Sequence, residues 1–116
     1  MKKTSKQKDR AEIEKAFRGA VNMSATEIAK WLATDRSKSV GWMPSGQKES
    51  VGHRSGRRIV AIQRKKKSQW IEADYRHMRK VVGYVRRHLA QRPGEDVMHT
   101  RWRYSLMNWG HDPMKD

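Results

Sequence analysis

The sequence contains no cysteine. This excludes a disulfide framework and a thiolate zinc site, and it is consistent with a cytoplasmic protein. Apolar residues are also few, at 35% of 116 residues, and the longest uninterrupted apolar run is residues 59–62. A membrane-spanning helix needs roughly 20 apolar residues. We therefore expect no membrane span and only a small core.

The chain also lacks the apolar segment that follows the basic start of a signal peptide. Its first ten residues, MKKTSKQKDR, are basic, but an acid-containing helical pattern comes next. Secretion is therefore not expected. Since residues 1–9 carry four lysines and no large apolar residue after Met1, we predict a flexible basic arm there, followed by one domain over residues 10–114.

Acidic residues are scarce as well. Lys and Arg number 27 against 12 Asp and Glu, which gives a formal net charge of +15 and a pI near 10.7. This balance repels other copies of the chain and attracts polyanions, of which nucleic acid is the commonest. Five Trp, three Tyr, one Phe and seven Met nevertheless supply bulky side chains for a compact core.

The first half of the chain predicts two helices and a long loop. Apolar residues recur every four positions from residue 13 to 21 and predict a helix from Asp9 to near Asn22. Ser24 and Glu27 have the spacing of a capping box, so a second helix begins there, with Met23 placed to pack on Ile28. The polar stretch 34–54 is loop by composition.

The second half predicts three more helices. The third begins at Ser55 and ends in the basic run 64–67, and the longest extends from about Trp70 to Gln91. The last is expected to be capped by Asp96 and to end before Gly110. The predicted apolar face of the longest helix consists of Tyr75, Met78, Val82, Val85 and Leu89. That of the last helix consists of Met98, Trp102, Leu106 and Trp109. No strand is expected, so the fold class is all-α, a single small domain of four or five helices.

Most of the excess positive charge lies between residues 53 and 92, where thirteen Lys or Arg face only Glu72 and Asp74. A surface that is merely solvated normally mixes both signs. On the longest helix, four of the cations fall within an arc of roughly 100°, opposite the apolar face. The predicted nucleic-acid-binding residues are Arg54, Arg57, Arg58, Arg64, Lys65, Lys66, Lys67, Arg76, Arg79, Lys80, Arg86 and Arg87.

Three further features bear on binding. Gly83 lies in the basic arc, where either a phosphate or another helix could approach closely. The Ser/Gly-rich segment 37–56 offers hydroxyls and N–H groups at the start of the third helix, which suits one phosphate or is simply a loop. Trp42 and Tyr104 are the candidates for exposed stacking on bases, because Trp31, Trp102 and Trp109 have core spacing.

No pattern of catalytic or metal-binding residues is present. The five histidines form no i, i+4 pair and no HExxH motif, and no cysteine completes a zinc site. His77 and His88 lie beside arginines and could act as acid or base on a phosphodiester, but no nucleophile or carboxylate pair accompanies them. We therefore expect no enzyme activity, no metal and no cofactor.

Four strings carry a family resemblance: SKSVG, ESVGHRSGRRIVAI, DYRHMRKVVGYVRRHLAQRP and TRWRYSLMNWGHDP. Over roughly residues 22–114 the chain resembles a small microbial family classed as a domain of unknown function, whose members often carry only the label DNA-binding. The resemblance implies a shared fold and an association with DNA.

Together these observations predict a DNA-binding protein that contacts the duplex mainly through phosphates, with weak sequence preference and a nucleoid or regulatory role. The third and longest helices would present the cations, in an arrangement related to a helix-turn-helix. Two alternatives stay open: a regulator that docks on an acidic protein, and a binder of structured RNA. The oligomeric state is not predicted.

Overall fold

The computed structural model describes residues 4–94 and 96–115. Over these residues the chain is all-helical, with no strand, as predicted. A short 3-10 turn, Lys67–Gln69, joins the fourth and fifth helices. The six α-helices are α1 (Ser5–Ala20), α2 (Ala25–Leu32), α3 (Asp35–Lys38), α4 (Val51–Arg64), α5 (Glu72–Leu89) and α6 (Arg101–Asn108).

The first helix begins earlier than its apolar pattern predicts. Thr4 accepts a hydrogen bond from the Gln7 N–H at 3.1 Å, and the Gln7 side chain accepts one from the Thr4 N–H at 2.8 Å. This reciprocal cap supplies partners for N–H groups that a helix start leaves unpaired. The predicted arm over residues 1–9 therefore overlaps α1 from Ser5 onward, while residues 1–3 lie outside the described part of the chain.

The predicted start of α2 is confirmed. Ser24 and Glu27 form the capping box through both of its hydrogen bonds, and Met23 and Ile28 are both buried. The following segment is not entirely loop: Asp35–Lys38 forms one helical turn, and α4 begins at Val51 rather than at Ser55. Ser50 caps α4 by accepting from the His53 N–H.

The bounds of α5 lie within two residues of the prediction, but the start of α6 does not. Thr100, rather than Asp96, caps α6 by accepting from the Arg103 N–H. Asp96 instead accepts from the Met98 N–H in a turn before the helix. Met98 is exposed, contrary to its predicted core position, and Val97 is buried in its place.

The helices pack as two pairs that share one core: α1 lies along α5, α2 lies along α4, and α6 contacts α2, α3, α4 and α5. Gly56 allows the closest approach, because a Cβ there would lie 2.6 Å from the Asn108 carbonyl oxygen and 2.7 Å from Leu32. Fully buried large side chains at the centre include Ile28, Ile59, Ile62, Met78 and Leu106.

Buried polar groups join distant parts of the chain. The Asn108 side chain accepts from the indole N–H of Trp31 at 2.7 Å and donates to the Ser37 carbonyl at 3.0 Å. Asn22, in the turn between α1 and α2, donates to the Asp112 carbonyl and accepts from the Asp112 N–H. The segment after α6 is thereby fixed against the first turn between helices.

Candidate nucleic-acid interface

One side of α5 is buried and the other carries cations. Its buried residues include Tyr75, Met78, Val81, Val82 and Val85, which matches the predicted apolar face with the addition of Val81. The exposed cations lie away from that face. They are Arg76, Arg79, Lys80, Arg86 and Arg87.

Four of the twelve predicted cations are paired with the chain's own carboxylates. Arg57 donates two hydrogen bonds to Glu49, at 2.8 and 2.6 Å. Arg58 and Lys65 both contact Asp74, at 3.5 and 2.8 Å, and Lys67 lies 2.6 Å from Glu14. Part of the charge of these four cations is therefore neutralised within the molecule.

The paired carboxylates are held in the charged form. The hydrogen bond from Arg57 is the main cause that lowers the pKa of Glu49 to about 2. Burial alone would raise the pKa of Asp74, but hydrogen bonds from Lys65 and the Ile71 N–H hold it below its ordinary value. Glu49 therefore pairs with a cation of α4, and Asp74 pairs with one cation of α4 and one just after it. Glu72 pairs with Arg10 of α1, at 3.0 Å.

The other eight predicted cations make no ion pair with any carboxylate in the described part of the chain. All eight are exposed. Arg54 and Arg64 lie in the first and last turns of α4, and Lys66 follows α4. The remaining five are the exposed cations of α5 named above.

The cations of α5 border two different depressions. Arg79 and Arg86 lie beside α1, in a groove whose other wall includes Asp9 and Glu12. Lys80 and Arg87 border a second depression, a cleft that extends to α4 and α6. A Cβ at Gly83 would lie 3.1 Å from the Arg87 guanidinium. The close neighbour of Gly83 is therefore this side chain.

The cleft beside Lys80 and Arg87 has a volume of about 240 Å³. Its floor contains Tyr84 and Trp109, whose rings stack at 4.2 Å between centroids with an angle of 13°. Trp42 forms part of its edge, and 71% of Trp42 is exposed. The Trp42 carbonyl accepts from the Val51 N–H at 2.9 Å, which fixes the loop to the start of α4.

The Tyr84–Trp109 pair belongs to a longer series of near-parallel rings between α5 and α6. His77 also stacks on Trp109, at 6.4 Å, and His88 stacks on Tyr84 at 5.1 Å. Trp102 continues the series from His88 at 6.0 Å. The interplanar angles lie between 11° and 15°, so the cleft floor is a fixed part of the packing between these helices.

His77 is kept neutral by its surroundings. Burial, followed by the positive charges of Arg58 and Lys80, lowers the pKa of His77 to about 4. Its Nε2 lies 3.0 Å from the Ser55 hydroxyl oxygen, which places the ring between α4 and α5. Burial likewise lowers the pKa of His88, whose Nε2 is 3.2 Å from the Trp102 carbonyl oxygen. Both rings therefore serve as packing groups at neutral pH.

The two predicted stacking candidates differ in the structure. Trp42 is exposed, as expected, and lies at the cleft. Tyr104 is half-buried, with its ring 5.5 Å from that of Trp31 and the Arg36 guanidinium 5.7 Å from its centroid. Its faces are thus already occupied in part.

The sequence did not indicate Gly52, Tyr84 or Trp109 as parts of a cleft. The spacing of Trp109 predicts a core residue, and only 4% of it is indeed exposed. A signal was present at Tyr84, which is absent from the apolar series of α5 and lies four residues after Lys80 and three before Arg87. Residues at these spacings are neighbours on a helix surface.

None of the helices over residues 4–94 and 96–115 combines the length and the apolar character needed to cross a bilayer. In the same residues, no three side chains of the metal-ligating types His, Asp and Glu come together.

Residues 16–107 match the family described as a protein of unknown function, DUF3140. The chain belongs to this family. The match confirms the resemblance to a domain of unknown function, while the association with DNA stays a prediction. No curated protein and no solved structure matches the chain.

Proposed function

We propose that this DUF3140 protein binds duplex DNA mainly through its phosphates, with little sequence preference, as a nucleoid-associated or regulatory protein. The observation that carries the proposal is the exposed side of α5, where five cations make no ion pair with any carboxylate of the described chain. Of the nearby acids, Glu72 and Asp74 are paired with other cations, and Asp9 and Glu12 line the groove opposite Arg79 and Arg86 without an ion pair to either. The exposed side of α5 therefore carries a net positive charge that is available to an external anion.

The spacing of these cations suits a polyanion. Arg76 and Arg87 are eleven residues apart, which corresponds to about 16 Å along a helix. Duplex DNA presents one charge per about 1.7 Å of its axis, and each phosphate that is neutralised releases condensed counterions. Arginine predominates on α5 and can bind a phosphate through two hydrogen bonds at once. A rigid helix thus offers several phosphate contacts without ordering a flexible segment.

The test is a titration of a fluorescent DNA duplex at several salt concentrations. Log K should fall linearly as log salt rises, with a slope of about −0.9 per phosphate neutralised. Changing Arg76, Arg79, Lys80 and Arg87 together to Gln should weaken binding to all sequences alike. The slope should become shallower by about 0.9 for each phosphate that the variant no longer neutralises. Circular dichroism should show the helix content unchanged.

The matched control removes the same charge from other surfaces. Lys8, Lys30, Lys38 and Lys48 are exposed, lie outside α5, and would also be changed to Gln. This variant should keep most of the duplex affinity. If both variants lose affinity equally, the interface on α5 is wrong, and a slope near zero for the unmodified protein would exclude binding through phosphates. Stronger binding to an RNA hairpin or an acidic protein would favour the alternatives.

A further inference from the structure

We infer that the cleft between α4, α5 and α6 binds one nucleotide, with its base against the aromatic residues and its phosphate between α4 and the cations of α5. The inference rests on the proposed function for the choice of a nucleotide, and on the cleft itself for the choice of a planar anion. The residues that carry it are Trp42, Gly52, Lys80, Arg87 and Trp109.

The first observation is an indole donor that has no acceptor within the described chain. Three other indole N–H groups donate internally: Trp31 to Asn108, Trp70 to the Ile62 carbonyl, and Trp102 to the His88 carbonyl. Only 4% of Trp109 is exposed, and no group of the described residues accepts from its N–H. The Nε1 atom is not fully enclosed, so this donor opens into the cleft, where it can bond to an acceptor on a ligand.

The second observation is the position of that donor. The Trp109 Nε1 atom would lie 3.0 Å from a Cβ at Gly52, so this edge of the indole faces Gly52, which lines the cleft. Gly52 lies in the first turn of α4. The N–H groups of Val51 and His53 already donate to the Trp42 carbonyl and the Ser50 hydroxyl, but the positive end of the helix dipole still favours negative charge beside Gly52. A side chain at residue 52 would occupy the space in front of the indole N–H.

The third observation is the charge and shape of the walls. Lys80 and Arg87 border the cleft, and neither is paired with a carboxylate of residues 4–94 or 96–115. Tyr84 and Trp109 are stacked on each other and on His88 and His77, so they form a fixed floor. The exposed Trp42 at the edge supplies the ring on which the base would stack. The volume of about 240 Å³ is below the roughly 300–1,000 Å³ of drug-sized pockets. The cleft is therefore of a size for one small planar group such as a base, with its phosphate toward Lys80 and Arg87.

Two sources could supply this nucleotide: a free nucleoside monophosphate, or an unpaired nucleotide within a DNA strand. Probes of both kinds are needed. We would titrate the protein with deoxyadenosine monophosphate, and separately with a duplex that has one bulged adenosine and the same duplex fully paired. Deoxyribose 5-phosphate and inorganic phosphate, which lack the base, are the control ligands.

The readout is the set of five indole N–H resonances in a nitrogen-correlated NMR spectrum. The Trp42 and Trp109 resonances should shift with saturation, while those of Trp31 and Trp70, whose N–H groups have internal acceptors, should stay in place. Trp42→Ala should weaken nucleotide binding by about fivefold or more, the usual effect of removing one base-stacking ring. Met43→Ala, at the exposed neighbouring residue that does not line the cleft, should bind as the unmodified protein does.

A second variant tests the donor edge. Gly52→Ala would place a methyl group 3.0 Å from the Trp109 Nε1 atom and should abolish the Trp109 shift. If this variant does not fold, Trp42→Ala still decides the question, because residue 42 is exposed and outside the core.

A Trp109 shift with the monophosphate supports a free nucleotide, and a shift only with the bulged duplex supports a nucleotide within a strand. Equal shifts with deoxyribose 5-phosphate would overturn the role of the base. If no probe shifts the Trp109 resonance, or if the Trp42→Ala variant binds with the same affinity as the unmodified protein, the cleft is not a nucleotide-binding site. Failure of the proposed function is separate, since it is shown by fully paired duplex that does not bind in a salt-dependent way.

Discussion

At the scale of single residues, His77 shows how position determines chemistry. The sequence places it beside arginines, which made an acid or base role conceivable. The structure places it inside the packing of α4 against α5, next to Ser55 and Trp109. Its pKa of about 4 leaves the ring uncharged at neutral pH. The residue type alone could not show this, because burial comes from the tertiary fold.

The lowered pKa of His77 predicts a pH dependence of stability. The ordinary pKa of histidine is 6.5 and that of folded His77 is about 4, so between these values the unfolded chain binds a proton that the folded chain does not. Stability should therefore be complete above about pH 6.5 and should fall as the pH is lowered toward 4. The lowered pKa of His88 acts in the same direction.

Urea unfolding from about pH 7 to about pH 5.5 measures this effect. Below that range the unfolded chain also binds protons at Glu27 and Glu49, whose ordinary pKa is 4.5, while the pKa of each is about 2 in the folded protein, so these carboxyl groups would add to the slope. His77→Phe should flatten the slope of unfolding free energy against pH, whatever its effect on total stability, and His88 should account for part of the remaining slope. An unchanged slope would show that His77 does not cause it.

At the scale of the helices, apolar spacing and caps predicted α2 and α5 well but misplaced the starts of α4 and α6. Both errors have one physical cause. Ser50 and Ser55 are each suitable caps, as are Asp96 and Thr100, and only the loop contacts select between them. The Trp42 carbonyl bonds to the Val51 N–H and so favours the earlier start of α4. Burial of Val97 draws the chain inward before α6 begins.

Gly56 allows a prediction at the same scale. Gly56→Ala would place a Cβ 2.6 Å from the Asn108 carbonyl oxygen, and backbone cannot move aside cheaply. We expect a loss of about 1–3 kcal/mol in unfolding free energy, as for other overpacked cores. Gly19→Ala is the matched control, because nothing lies within 4 Å of its Cβ. It should stabilise the protein by about 0.5–1 kcal/mol through helix propensity.

Chemical denaturation of both variants measures these differences. A Gly56→Ala variant as stable as the unmodified protein would mean that α4, α2 and α6 are not as close as described.

At the scale of the whole molecule, the sequence predicted which region is basic but not which cations stay unpaired. Arg57, Arg58, Lys65 and Lys67 have the same residue types as the others, yet they meet carboxylates from distant positions such as Glu14. The sequence also could not predict the cleft, because the cleft forms only where the packing of α5 against α6 places Lys80 near Trp109. The loop at 37–56 and Trp42 did point toward it.

The net charge predicts how stability responds to salt. The molecule measures 49 × 33 × 26 Å, so at 0.01 M salt, where the screening length is about 30 Å, most of its charges repel one another. Near 0.15 M the length is about 8 Å. The net charge of +15 should therefore make the Tm rise with sodium chloride, since exposed ion pairs contribute only about 0–1 kcal/mol each.

Thermal unfolding over this range of salt tests the point. The variant with four glutamines on α5 should show a smaller rise than the unmodified protein. A Tm that falls with added salt would mean that ion pairs outweigh the repulsion.

The contact of Asn22 with Asp112 also has a consequence for biosynthesis. These residues are 90 positions apart, and Trp31 and Asn108 are 77 apart. A growing chain can form α1 through α5 in turn, but the surface of α2 that α6 covers stays open until residues 101–112 leave the ribosome. Any chaperone that acts during translation would therefore meet this uncovered surface of α2.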